Sequence, residues 1–249
     1  MITQHIKYSL WNKSNLILFC AFISCFQLFA KNKPILFRTL SIDDGLSQNT
    51  VWTITQDKNN KMWIGTGDGL NRYDGYAFTT YYHIPNDSFS IADNNIRSLC
   101  TDEKGVIWIG TLVGLSCYNI ETNNFTNYPL HNVPTQVLDI VDVPEKNMLF
   151  LATNNGLISF DKKHKKAVIN QEIKKLTINS ICKVNHELFL GTSQGVYLYS
   201  IEEQNVRQIT PELNGVAIAS IVYDNKSEQF WIGSLKNGIY KVDNQLQII

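Results

Sequence analysis

The stretch IWIGTLVGLSCYN, Ile107–Asn119, decides the fold because it does not occur once. Met62–Asp74 (MWIGTGDGLNRYD), Leu149–Asp161 (LFLATNNGLISFD), Leu188–Ser200 (LFLGTSQGVYLYS) and Phe230–Asp243 (FWIGSLKNGIYKVD) align with it. Their second glycines, Gly69, Gly114, Gly156, Gly195 and Gly238, recur at intervals of about 40–45 residues. Working outward from each copy, the flanks repeat too. Around the first lie an apolar stretch, Val51–Thr55, a polar turn, Asp57–Lys61, and strand-like segments Met62–Thr66, Leu70–Tyr73 and Ala77–Tyr82, separated by Gly67–Gly69 and Asp74–Gly75. The same order starts again at Ile96, Val137, Ile178 and Ala217.

Four short strands per repeat, with turn residues between them, predict an all-β chain of four-stranded antiparallel blades, a β-propeller of about five blades. The spacing places them over 48–82, 94–128, 135–170, 176–210 and 216–249. Helical repeats would need a sustained 3.6-residue period, which is absent after residue 30. Trp63, Trp108, Phe150, Phe189 and Trp231 share one position in the second strand and are expected to fill the wedge between blades. Gly69, Gly114, Gly156, Gly195 and Gly238 sit where a hairpin favours positive φ. Gly65, Gly110, Gly191 and Gly233 repeat in the second strand, and Ala152 replaces this glycine in the third repeat. All of these are read as structural.

Residues 1–30 read as a leader. Lys7 and Lys13 stand without any acid before the apolar run Leu16–Ala30, the pattern of a secretory signal peptide. An uncleaved anchor or lipidation at Cys25 are the alternatives. The remaining chain, 31–249, is assigned to the repeats and to a periplasmic location. Its three cysteines, Cys100, Cys117 and Cys182, are expected to be buried thiols. Residues 35–40 are expected to be the outer strand of a preceding blade, which makes the propeller incomplete. On that reading the chain opens a longer protein, as a fragment, a frameshifted product or an incompletely read gene. Closure with five blades is the alternative.

The charge balance, 22 Lys and Arg against 22 Asp and Glu, leaves no basic footprint for direct contact with nucleic acid. His83, His131, His164 and His186 are too scattered for a metal site, so no metal and no cofactor are assigned. No catalytic constellation emerges, and the chain is read as a non-enzyme. The run Lys162–Lys166, which contains His164, is read as a turn that is either solvated or turned toward an anionic glycan or envelope surface. A ligand is expected on the face that carries the Gly67–Gly69 type of hairpin and the connections between blades. The candidates there are Gln48, Asn49, Asp68, His83, Asn95 and Arg97.

The repeat, with the leading segment Leu40–Asp57 (LSIDDGLSQNTVWTITQD) and the linker His83–Leu99 (HIPNDSFSIADNNIRSL), resembles the two-component regulator propeller over roughly residues 36–249. That family forms the periplasmic sensor region of hybrid two-component histidine kinases. The resemblance implies an oligosaccharide ligand and, as partners, a β-sandwich and kinase portion or a dimer mate. It also implies many more blades than five. Two rival readings stay open: a free-standing secreted propeller that binds glycan or protein as a scaffold, and a propeller enzyme such as a polysaccharide lyase or lactonase.

Overall fold

The computed structural model describes residues 36–130 and 134–249. The proposed leader, His131 and residues 34 and 35 lie outside them. Residues 36–40 carry no strand, and Leu36 and Phe37 are 89% and 91% exposed. The expected outer strand at 35–40 is therefore not formed by the described residues 36–40, and residue 35 lies outside them.

From Leu40 to Ile249 the chain builds five antiparallel sheets, each a meander of consecutive strands. The first contains β1 (Val51–Gln56), β2 (Met62–Thr66), β3 (Gly69–Tyr73) and β4 (Phe78–Tyr81). The second contains β5 (Ile96–Thr101), β6 (Ile107–Thr111), β7 (Leu115–Asn119) and β8 (Asn124–Tyr128). The third has β9 (Val137–Val143), β10 (Met148–Thr153), β11 (Gly156–Asp161) and β12 (Lys166–Ile169). The fourth has β13 (Ile178–Val184), β14 (Glu187–Thr192), β15 (Gly195–Ser200) and β16 (Val206–Ile209). The fifth has three strands, β17 (Ile218–Asp224), β18 (Gln229–Ser234) and β19 (Ile239–Val242), and Ile248 bridges back to Val242. The first strands of the sheets pack in series, β1 on β5, β5 on β9, β9 on β13 and β13 on β17; β17 and β1 make no comparable contact. The blades form an arc.

Each second strand explains the repeat. Alternate residues of a strand share a face, so the aromatic and the first glycine of Trp-Ile-Gly-Thr both look toward the following sheet. Trp63 meets Tyr118 at 4.7 Å between ring centroids, Trp108 meets Phe160 at 5.6 Å, Phe150 meets Tyr199 at 5.5 Å and Phe189 meets Phe230 at 4.4 Å. Two residues on, the glycine admits the first residue of the next blade: a Cβ at Gly110 would stand 2.7 Å from the Val137 carbonyl oxygen. The threonine closes the hairpin, as where Thr111 Oγ1 donates to the Gly114 carbonyl at 3.0 Å.

Trp231 departs from this rule. It was expected in the core, yet it is 45% exposed, beside Val222 and Ile239 at 59% and 73%. Its wedge has no following sheet among the described residues. The polar environment changes with it. In the first two sheets a buried aspartate holds the indole, with Trp63 Nε1 donating to Asp57 Oδ2 at 2.9 Å and Trp108 Nε1 to Asp102 Oδ2 at 3.0 Å. Asp224 occupies the corresponding place in the fifth sheet but binds Ser227 and the Lys226 amide. Where the aromatic is Phe150 or Phe189, with no N–H to satisfy, that place holds Val143 or Val184.

The second glycines all have positive φ, and at Gly156 (φ 95°) space is short as well: a Cβ would stand 2.6 Å from the Ile173 carbonyl oxygen. Gly156→Ala is therefore expected to cost about 1–3 kcal/mol from backbone strain alone, read as a lower urea midpoint with an unchanged slope.

Candidate functional site

Every sheet presents the start of its first strand and the hairpin between its second and third strands at one end, and each of the first four carries its connection to the next sheet there. In the first sheet this follows from the pairing of Val51 with Thr66 and of Leu70 with Tyr81. The opposite end carries the remaining two hairpins. Within sheet one, Gly67 N donates to the Thr50 carbonyl at 3.3 Å; toward sheet two, Gly69 N donates to the Asn94 carbonyl at 2.7 Å.

At this end each first strand carries a β-bulge. Val51 pairs with Thr66 and Thr53 with Gly65, which leaves Trp52 without a partner in the register; Arg97, Leu138, Asn179 and Ala219 are bulged in the same way. A bulge re-aims a side chain out of the regular alternation. In the first two sheets it brings Arg97 over the indole of Trp52, with Cζ 4.1 Å from the ring centroid. Gln48 lies beside them. A Cβ on Gly67 would collide with Gln48 Oε1 and stand 3.5 Å from Trp52 Nε1. Both Gln48 Oε1 and Asn95 Oδ1 are buried acceptors without a hydrogen-bond partner among the described residues. Buried polar atoms ordinarily find partners, so this rim combines a cation on an aromatic face with two oxygens short of a donor.

The other predicted residues have loop tasks. Asp68 Oδ1 accepts from Asn94 Nδ2 at 3.2 Å, Asn49 Oδ1 accepts from Ile42 N at 3.0 Å, and His83 Nδ1 lies 2.8 Å from the Ile91 carbonyl oxygen. The structure thus gathers Gln48, Asp68, Asn95 and Arg97 on the rim between sheets one and two, where Asp68 ties down the loop. It spends Asn49 on a 3₁₀ turn and His83 on its own linker. Trp52 went unnoticed because its segment reads as an ordinary apolar strand. The available signal was variation: at this one position an otherwise faithful repeat reads Trp, Arg, Leu, Asn and Ala.

Farther along the first strands, Asp139 ties sheet three to sheet four. Its two oxygens accept from Ile140 N and Ile181 N, each at 2.8 Å. Burial nevertheless pushes its carboxyl up to about 6. The fold therefore holds this proton more tightly than the unfolded chain does. The resulting stability is fully present below the ordinary value of 3.8 and is lost as pH rises through about 6. Asp139→Asn is expected to remove that loss, narrowing its deficit against the parent by about 2 kcal/mol between pH 4 and pH 7, measured by urea unfolding across the range.

The described cysteines are free thiols, and burial raises all three, Cys100 to about 12. Among the described residues no three His, Cys, Asp or Glu side chains come together as a metal site, and no helix is long and apolar enough to cross a membrane.

Comparison with known proteins places this geometry. Residues 45–68 and 90–112 match the two component regulator propeller family. Histidine kinase P4 of Formosa agariphila is 46% identical over 66 residues, 26% of this chain and 5% of that protein. The extracellular domain of the putative hybrid two component system BT3049 of B. thetaiotaomicron superposes with a TM-score of 0.76 at 27% identity, over 87% of this chain and 32% of that one. PorZ, a surface component of the type-IX secretion system of Porphyromonas gingivalis, shares the fold at a TM-score of 0.59 and 14% identity, over 80% of this chain and 33% of that one. The chain spans about a third of the length of these structural relatives. Two segments of the chain thus match the two component regulator propeller family, and its fold is similar to that of the extracellular domain of a putative hybrid two component system.

Proposed function

We propose that this chain is the ligand-sensing portion of a hybrid two-component signalling protein, exported to the periplasm by residues 1–30, and that its ligand is an oligosaccharide held on the rim between sheets one and two. The observation that carries the reading is the Arg97–Trp52 pair, with the indole half exposed on the rim. An indole offers a flat apolar face to a sugar ring, and the guanidinium donates to hydroxyl oxygens. Signalling then follows from population: a ligand that binds one arrangement of the sensor better shifts the equilibrium toward it, and a kinase portion reports the shift.

The test is calorimetric titration of the full chain with a panel of neutral oligosaccharides. A binder should lose at least about tenfold in affinity in Trp52→Ala and in Arg97→Ala, since each variant removes a ring face or a charge-assisted donor. Thermal midpoints should barely move. Equal binding by both variants would place the ligand elsewhere, and turnover of the sugar would favour the enzyme reading. The exposed face of the fifth sheet, with Trp231, Val222 and Ile239, favours a second reading in which a polypeptide docks there and the chain acts as a scaffold.

A further inference from the structure

The opposite end of the arc carries a second feature. Two adjoining clefts of about 390 and 310 Å³ open across sheets one to three and share Lys104, Val106, Trp108 and Lys165 in their walls. The smaller adds Asp102, Asn147, Lys162 and Lys163. Its charges do not balance. Lys162 is buried and spoken for, with Nζ 2.6 Å from Asp142 Oδ1 and 3.7 Å from Asp102 Oδ2. Asp102 is fully used by the Trp108 indole, the amides of Lys104 and Val106, and Lys162. That leaves Lys104, Lys163 and Lys165, none of which has a carboxylate within ion-pair distance among the described residues.

The three ammonium groups stand on pinned turns. Lys104 N donates to Asp102 Oδ1 at 2.9 Å, Lys163 N to Asp161 Oδ1 at 2.8 Å, and Lys165 N to the Asp161 carbonyl at 2.9 Å, with Lys165 itself at φ 56°. Lys165 reaches from the third sheet onto the second, its Nζ 5.2 Å from the Trp108 ring centroid and 5.5 Å from that of Tyr128. Asp161, the nearest acid on that turn, is occupied by His164 Nδ1 at 2.7 Å, and this bond with the turn amides holds its carboxyl down at about 2. Glu121 lines only the larger cleft, and Glu103 lines neither.

We infer that this groove is a second binding site, for an oligosaccharide that carries carboxylate or sulfate groups, with Lys104, Lys163 and Lys165 pairing its anions and Val106 and Ile120 flooring its rings. A concave groove with an apolar floor suits a chain of sugar rings better than a flat lipid surface. Charge-assisted bonds to anionic oxygens are stronger than those to hydroxyls, so acidic and neutral chains of equal length should be told apart. The site lies at the other end of the arc from Trp52 and Arg97 and stands independently of the reading above.

The test titrates the full chain with an oligogalacturonide, a neutral oligosaccharide of the same length, inorganic sulfate and anionic phospholipid vesicles. The acidic chain should bind at least about tenfold tighter than the neutral one, and more weakly as salt rises. The triple variant K104Q/K163Q/K165Q should lose that advantage with its thermal midpoint unchanged, while Trp52→Ala and Arg97→Ala should keep it. Equal affinity for acidic and neutral chains would overturn the inference, as would acidic binding that survives the triple variant. Sulfate binding as well as the oligomer, or vesicles binding in its place, would also overturn it. Loss of neutral binding in Trp52→Ala alone would bear on the first site and leave this one standing.

Discussion

Trp108→Ala is expected to lower the unfolding free energy by about 3–5 kcal/mol, read as a large drop in the urea midpoint. The indole is 2% exposed and fills the seam between the second and third sheets, against Phe160 on one side and Tyr128 on the other. Its removal leaves a cavity between two rigid sheets that cannot collapse onto each other. It also leaves Asp102 without its indole donor. The matched control is Trp231→Ala, the same residue at the same place in the repeat, where half of the ring already faces water; it should cost no more than about 1 kcal/mol. Equal losses in the two variants would show that the fifth sheet is covered in solution, and that the repeat position alone sets the energetics.

Asp102→Ala should cost about 3–5 kcal/mol. This carboxylate is 4% exposed and serves four groups at once: the Trp108 indole N–H, the Lys104 and Val106 amides, and the buried ammonium of Lys162. An unsatisfied buried donor costs about 1–3 kcal/mol, and several lose their acceptor together. Asp142 still holds Lys162 at 2.6 Å, which keeps the loss from growing further. Asp102→Asn keeps an acceptor for the turn or for the indole and should recover part of the difference. A drop of less than 1 kcal/mol in Asp102→Ala, by the same urea unfolding, would mean that water replaces the carboxylate in this seam.

The comparison of these two tryptophans shows what the sequence could disclose. The repeat itself was legible, since each copy of Trp-Ile-Gly-Thr specifies a strand, a wedge and a hairpin by local chemistry. Whether a given wedge is filled is a property of the neighbouring sheet, and Trp231 carries the residue type of a core position without its surroundings. The proposed ligand rim was half legible. Hairpins and connections gather at one end of any such meander, which brings Gln48, Asp68, Asn95 and Arg97 together. Trp52 escaped because a bulge breaks the period-two rule by which strand faces are read. Asn49 and His83 looked free as sequence, but short polar side chains in loops satisfy nearby backbone first, and these two do.

The indole ties at Asp57 and Asp102 have a consequence for how the arc comes apart. Sheets that touch only their neighbours behave as a one-dimensional lattice, in which each junction contributes its own coupling. The junctions are unequal: one to two and two to three hold a tryptophan latched by a buried aspartate, and the second of them adds the Lys162 bridge. The later junctions hold phenylalanine in that place and are tied instead along their first strands, by Asp139 to Ile181 and by Ser180 to Ile221. At one outer edge, Ser47 closes against the buried side chain of Asn71, whereas the fifth sheet presents its bare aromatic face to solvent. Melting should therefore travel inward from the fifth sheet, with amide exchange slowest in β6 and β10. Both proposed ligand sites lie at the latched junctions, so the arc can breathe at its far end while its recognition surfaces keep their shape.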